Sequence, residues 1–351
     1  MILSIPFLVL GLCASPVAAA SAQATHSTVL YQHFFPAWNP YLQGYLQDAC
    51  REQITNYRNA TFSDPRTSYT VLDCLLKQFP EFRKAEMSAA AVVLGLAPTI
   101  LQMISPRPSD TALVALRRPL LALLLSVASP ATTSPPAAQY AEQLQMLDHP
   151  LPPRVHGCFP YTVPRVLGYY EDAAGGLVSA LQYTAALLAA ANSAYRTYQL
   201  CIWTVCTFVP TRAYLPALWH VAVIPLHLIG WVALLLSLQR RPAPAPMTAT
   251  ARRQASGPRW LERVKRILAS EAIPGAFAKK LPMESRDGPA PCFSLMTMVL
   301  YVSVPIHILY GTMVLSSLAF VSAVDSLGVV AWDPGRRQRK PKNRAAKPAD
   351  E

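Results

Sequence analysis

Charge is what this chain has least of. Asp, Glu, Lys and Arg together make up 14% of its 351 residues, where soluble domains carry about 25%, and 52% of the residues are hydrophobic. So few ions cannot keep so much apolar sequence in water, which excludes a purely soluble globular protein. Compact signatures of chemistry are missing too. There is no G-x-G-x-x-G or G-x-x-x-x-G-K-[ST] loop to cradle phosphates, no H-E-x-x-H, no C-x-x-C and no G-x-S-x-G. The sequence therefore names no reaction, ligand or cofactor. No internal repeat is visible, which argues against a transporter built from inverted repeats.

What is present is long apolar segments punctuated by proline and flanked by positive charge. Prolines gather at Pro242, Pro244 and Pro246 and near segment ends (Pro98, Pro119, Pro210), where they stop or kink helices. The net charge of +12 is concentrated. Residues 239–290 hold 11 Lys/Arg against 4 Asp/Glu and residues 332–351 hold 7 against 3, whereas residues 23–86 balance at 6 against 6. Beside apolar spans, dense basic tracts mark the cytoplasmic side and an anionic inner leaflet as partner, rather than nucleic acid.

These features predict an all-α, polytopic helical membrane protein with a small extracytosolic N-terminal helical domain. Residues 1–22 read as an export signal, with an apolar stretch, Pro16 and a small-residue run at 18–22, although the n-region carries no Lys or Arg. Residues 23–86 form the extracytosolic domain and residues 87–238 a membrane domain of three to five spans. Residues 239–291 are a basic cytoplasmic linker, residues 292–332 a membrane segment of one or two spans, and residues 333–351 a basic disordered tail.

In the N-terminal domain, residues 43–57 are expected as one helix with Leu46, Cys50 and Ile54 on one face. Residues 67–79 form a second, carrying Val71, Cys74, Leu75 and Gln78. A Cys50–Cys74 bridge suits an exported segment and would close a loop of about 24 residues, worth on the order of 3 kcal/mol. Asn59-Ala60-Thr61 is a glycosylation acceptor in the same segment.

The candidate spans are residues 87–104, 111–130, 173–194, 197–211 and 214–238. Arg117 and Arg118 divide the second, whose uninterrupted part, 120–128, is short for a span. Either the arginines snorkel to an interface or the segment is re-entrant. Gly175, Gly176, Ser179, Ala180 and Ser193 in the third would let a neighbouring helix approach closely, and Arg196 should end it. Five crossings or three both leave Arg240 opposite the N-terminal domain, in the cytoplasm. Residues 292–332 form two spans turning near Gly311, with the tail inside, or one span with Asp325 on the far side.

Three polar features are candidates for function. His220 and His227, seven apart on one helix, lie about 20° apart around its axis, with His307 on the last apolar block. Such imidazoles ligate a metal or haem, relay protons, or merely donate to backbone carbonyls. Asp325 is either a costly mid-membrane carboxylate or an ordinary residue at a span end. Residues 259–272 read as a basic amphipathic helix lying in the lipid interface, with Trp260, Arg263, Val264, Arg266 and Ile267 as the interface residues. Ser256, in a basic context, is a phosphorylation candidate beside it. The alternative is a helix packed on the protein itself.

The segments Thr67-Ser68-Tyr69-Thr70-Val71-Leu72-Asp73-Cys74, Gly95-Leu96-Ala97-Pro98-Thr99-Ile100 and Leu116-Arg117-Arg118-Pro119-Leu120-Leu121 resemble a group of multi-span integral membrane proteins of filamentous fungi. The resemblance covers roughly residues 67–130 and implies a topology, with no activity and no site residues. The function class expected is a non-enzymatic membrane protein displaying its N-terminal domain and engaging lipid or protein partners. The alternatives are a transporter or channel, and a membrane redox or metal enzyme using His220, His227 and His307.

Overall fold

A computed structural model describes residues 29–59, 66–134, 168–240, 271, 283–285 and 291–330. The export signal, Ser256, the interface residues Trp260, Arg263, Val264, Arg266 and Ile267, and the tail lie outside them.

The first layer is built from α1 (Asn39–Gln47), α2 (Arg51–Asn59) and α3 (Arg66–Gln78). Leu42 and Leu46 on α1, Ile54 and Tyr57 on α2, and Val71, Leu72 and Leu75 on α3 bury one stripe each, the pattern that makes an amphipathic helix fold onto its neighbours. Cys50 and Cys74 are bridged. Leu46, Cys50 and Ile54 do share one core, but on two helices rather than the expected one. The chain unwinds at residues 48–50, where the Cys50 N–H reaches back to the Tyr45 carbonyl at 2.8 Å. That five-residue return breaks the regular four-residue ladder.

Among the described residues, three helices are long and apolar enough to cross a membrane, by length and composition: Glu81–Ile104, Leu215–Ser237 and Pro291–Ser316. The first is α4. The second is divided at Ala222 into α8 (Leu215–Val221) and α9 (Val223–Ser237), where Pro225 has no N–H to offer Val221. The third, α10 (Pro291–Ser316), runs without interruption through Gly311, so the expected turn there does not occur. Among the described residues its continuation is a two-residue strand and the helix α11 (Ala323–Val330).

The helix α7 (Gly168–Ile202) has 35 residues and passes through Arg196, which instead of ending it bonds Gln199 one turn on. Its contact face is Ser179, Ala186 and Ala190, all buried, whereas nothing approaches Gly176 within 4 Å. Residues 197–211 are therefore no span. They complete α7 and turn into β1 (Val205–Cys206), which pairs antiparallel with β4 (Leu318–Ala319). Val205, Ala319 and Phe320 belong to the N-terminal core, and Ser68 Oγ and Tyr69 OH donate to the Pro210 and Phe208 carbonyls. The ends of α7 and α10 thus meet the N-terminal layer. At the opposite end, β2 (Leu238–Arg240) pairs with β3 (Met283–Ser285), closing the linker between α9 and α10.

Between these ends the chain re-enters. Gly95 of α4 abuts Ser316, the last residue of α10, so Ile104 stops only partway along that helix. Pro106 and Pro108 force a break, and α5 (Pro108–Ala115) continues beside α9. Pro108 lies against Gly230, where a Cβ would come within 2.7 Å of it, and Leu116 clusters with Leu234, Leu238 and Phe293 at the linker end. After Arg118, α6 (Pro119–Ala128) climbs back. The entering and leaving strands of chain are tied by Ser129 Oγ to Ser105 Oγ (2.7 Å), Thr132 Oγ1 to Pro106 O (3.0 Å) and Thr133 Oγ1 to Gln102 O (2.7 Å). The Arg117-Arg118 segment is thus the turn of a hairpin, α5 running one way and α6 back, with Arg118 buried at the turn.

Candidate functional site

Two buried polar clusters flank this hairpin. The first contains the three histidines, 6%, 4% and 5% exposed for His220, His227 and His307. His220 lies on α8 and His227 on α9, on either side of the break at Ala222. His220 Nε2 donates to the Val127 carbonyl at 2.8 Å, while its Nδ1 meets Thr197 Oγ1. His307 Nε2 donates to the Pro130 carbonyl at 3.0 Å, and its ring stacks on Trp219 at 5.9 Å. Both imidazoles satisfy carbonyls at the open C-terminal end of α6, which has no intrahelical donors of its own. Trp219 in turn lies over Gly311, where a Cβ would fall 2.3 Å from the indole nitrogen.

His227 differs. Its Nδ1 bonds Thr111 Oγ1 at 2.8 Å on the descending half of the hairpin, and its Nε2 is buried without a partner. Among the described residues, no group of three or more His, Cys, Asp or Glu is placed to hold a metal ion. Cys201 and Cys206 are buried free thiols, and Cys206 Sγ lies 3.1 Å from Ser317 Oγ.

Asp325 is not part of this cluster. Ser322 Oγ accepts the Asp325 N–H at 3.0 Å and donates to the Asp325 carboxylate at 2.8 Å, a serine cap answered by an acid three residues on. The residue lies in the first turn of α11.

The second cluster was not legible as a site in the sequence. Arg118, 4% exposed, sits in the turn between α5 and α6. It donates through its two terminal nitrogens to Gln182 Oε1 and, at 2.6 Å, to Ser179 Oγ on α7, with its guanidinium 5.0 Å from the centre of the Tyr183 ring. Facing it is Glu271, 5% exposed, brought in from the basic linker. One Glu271 oxygen accepts the Leu120 N–H at 2.8 Å in the first turn of α6, and the other accepts the Tyr183 hydroxyl. Arg118 Nε lies 3.9 Å from that second oxygen. Ser179 Oγ also donates to the Glu271 backbone carbonyl at 3.0 Å. Compositionally, the only signals were two arginines interrupting an apolar run and an acid in a basic tract. Nothing in the spacing joins them.

Asn59 is exposed at the end of α2, on the layer that holds the disulfide. No protein-family model, curated protein or solved structure matches this chain.

Proposed function

We propose that this chain is a polytopic membrane protein of the secretory pathway that displays a disulfide-closed helical domain on the extracytosolic face and engages lipid or protein partners without catalysing a reaction. The observation that carries this reading is the separation of two ends. The Cys50–Cys74 core takes in Val205, Ala319 and Phe320, the turns at one end of the apolar helices. The linker, with 11 Lys/Arg against 4 Asp/Glu in residues 239–290, joins α9 and α10 at the other end. A disulfide suits an oxidising compartment and basic linkers suit the cytoplasm. Between the ends, large exposed apolar residues line α10 from Leu295 through Met298, Val302, Ile306 and Leu309 to Met313. That stretch is about 27 Å long, near the thickness of a hydrocarbon core.

The tail follows α11, which starts beside the first layer with the Ala323 N–H donating to Glu86 at 3.3 Å. A single crossing by α10 therefore puts residues 333–351 on the extracytosolic side, against the charge rule that places them within. In sealed right-side-out vesicles, protease should cut a tag on the tail and spare one in the linker. Endoglycosidase should shift wild type but not Asn59→Gln. An unglycosylated chain with a cleavable linker tag would invert the topology and end this reading.

One observation favours a second reading, passage of a small solute. The helices α4–α5 and α6 are interrupted inside the bundle, and irregular backbone at membrane depth survives only when buried in protein or lining a water-filled path. The small cavity beside Leu200, Cys201, Thr204 and Pro216 is about 10 Å³, room for a single water at most. Passage therefore requires the hairpin to move. Ion flux into proteoliposomes that His227→Leu abolishes would support passage, and impermeable vesicles would exclude it.

A further inference from the structure

We infer that the rim where the N-terminal layer meets the bundle is a phospholipid headgroup site, in which Arg83 and Arg212 bind lipid phosphate while Tyr41, Phe82 and Tyr214 lie among the headgroups. The inference rests on the membrane reading above and names the partner that the layer engages. Two helices of membrane length begin at this rim, α4 at Glu81 and the α8–α9 pair at Leu215. Each start carries an exposed aromatic residue, Phe82 (65% exposed) in the first turn of α4 and Tyr214 (51%) just before α8. Each also carries an arginine set against a ring. The Arg83 guanidinium lies 5.4 Å from the centre of the Phe82 ring and 4.7 Å from that of Tyr41 on α1, and the Arg212 guanidinium lies 5.8 Å from Tyr214. Aromatic residues beside polar groups at the ends of apolar helices suit the boundary between hydrocarbon and water.

Both arginines lack an anion. Among the described residues the ion pairs are Lys77–Asp73, Lys84–Glu81 and Arg118–Glu271, so neither Arg83 nor Arg212 has a carboxylate partner. Residues 173–240 contain no Asp or Glu, so the segment around Arg212 has none to offer. Stacking on a ring takes the face of a guanidinium and leaves its N–H edge, the part that grips a phosphate bidentately. Continuity of the surface decides where that phosphate comes from. Phe82 and Ile100 are five full turns apart on α4, and Val92, Leu96 and Met103 are exposed with them. The rim therefore runs into the apolar face of α4, and whatever covers Phe82 must border that face as well. A bilayer does both, with acyl chains along α4 and phosphates at its first turn. A soluble phosphate would meet the arginines and leave the aromatic rings in water.

The test uses the full chain in phosphatidylcholine nanodiscs, which leave both faces accessible, so orientation plays no part. A benzophenone amino acid is placed in turn at positions 41 and 82 on the rim, at position 96 on the apolar face of α4, and at the exposed position 73 of α3 as an aqueous control. Mass spectrometry of the photoproducts identifies what each position touches. Positions 41 and 82 should give adducts on the glycerol and headgroup part of the lipid, position 96 adducts on acyl carbons, and position 73 none. In a second arm, native mass spectrometry counts the phospholipid retained on transfer to detergent. Arg83→Gln and Arg212→Gln should each lower retention roughly fivefold, with helicity unchanged. Acyl adducts at 96 with no lipid adduct at 41 or 82 overturn the inference and leave the membrane reading standing. Absence of lipid adducts at all three positions overturns both. Adducts at 82 to a second copy of the chain make the rim a protein contact, and the inference fails. It fails equally if the double glutamine variant retains as much lipid as wild type, since the arginines are then merely solvated.

Discussion

The N-terminal layer and the helix bundle are held together by different means. In the layer, Tyr31, Phe34, Trp38, Tyr57, Phe79 and Phe320 meet edge to face at ring separations of 5.3 to 6.5 Å, and a disulfide closes the stack. Large side chains leaving water supply the drive. The bundle also buries large residues such as Leu94, Leu234, Leu300 and Trp219, but it exposes others along its helices and adds close glycine contacts and paired polar groups inside. In the membrane setting proposed above, lipid offers apolar side chains no reason to associate, and close backbone approach and hydrogen bonds take over. Gly230 against Pro108, Gly311 beneath Trp219, and Arg118 with Glu271 are the places where this is visible.

The comparison breaks most readily at Arg118. Arg118→Met leaves Glu271 buried without its partner, and we expect a loss of about 3–5 kcal/mol. Adding Glu271→Leu should recover most of it, as read by thermal unfolding of the two variants in detergent. Next in size is the disulfide. Cys50→Ser with Cys74→Ser removes a loop constraint of about 3 kcal/mol, and hydrogen exchange should rise in α1 to α3 while the bundle stays protected. Equal exposure of both regions would show that they unfold as one unit.

Gly311→Ala should cost about 1–3 kcal/mol by forcing the Trp219 indole aside. A shift in tryptophan emission with unchanged helicity would confirm that the loss is local.

The smallest effect is alkaline. Burial pushes the Tyr57 hydroxyl up to about 12, and burial likewise raises Tyr31, partly offset by its bond to Ser68. A raised folded value means the neutral form is favoured by folding. The stabilisation is complete below the ordinary tyrosine value of 10.0 and fades as pH rises towards about 12. Tyrosinate absorbance at high pH should therefore appear together with loosening of the first layer, while bundle helicity persists.

Much of this architecture is written locally. Low charge, apolar runs and proline punctuation are enough to require helices of membrane length, and α4, α9 and α10 are where those runs lie. The stripes Leu46-Cys50-Ile54 and Val71-Leu75 name the first core and place two cysteines on it, since periodicity reports burial whatever the helix does between. Other features depend on contacts between residues far apart in sequence. His220 and His227 have helical spacing, but nothing in the spacing says that one meets Val127 and the other Thr111. Residues 197–211 are apolar enough for a span and instead join the first core, because apolar sequence says that a segment is buried and not in which layer. Arg118 and Glu271 looked like an interruption in one segment and a stray acid in another. A buried charge must find its partner wherever the fold brings it, and only the tertiary structure determines that partner, because the low-dielectric interior that makes pairing obligatory does not exist until the chain has folded.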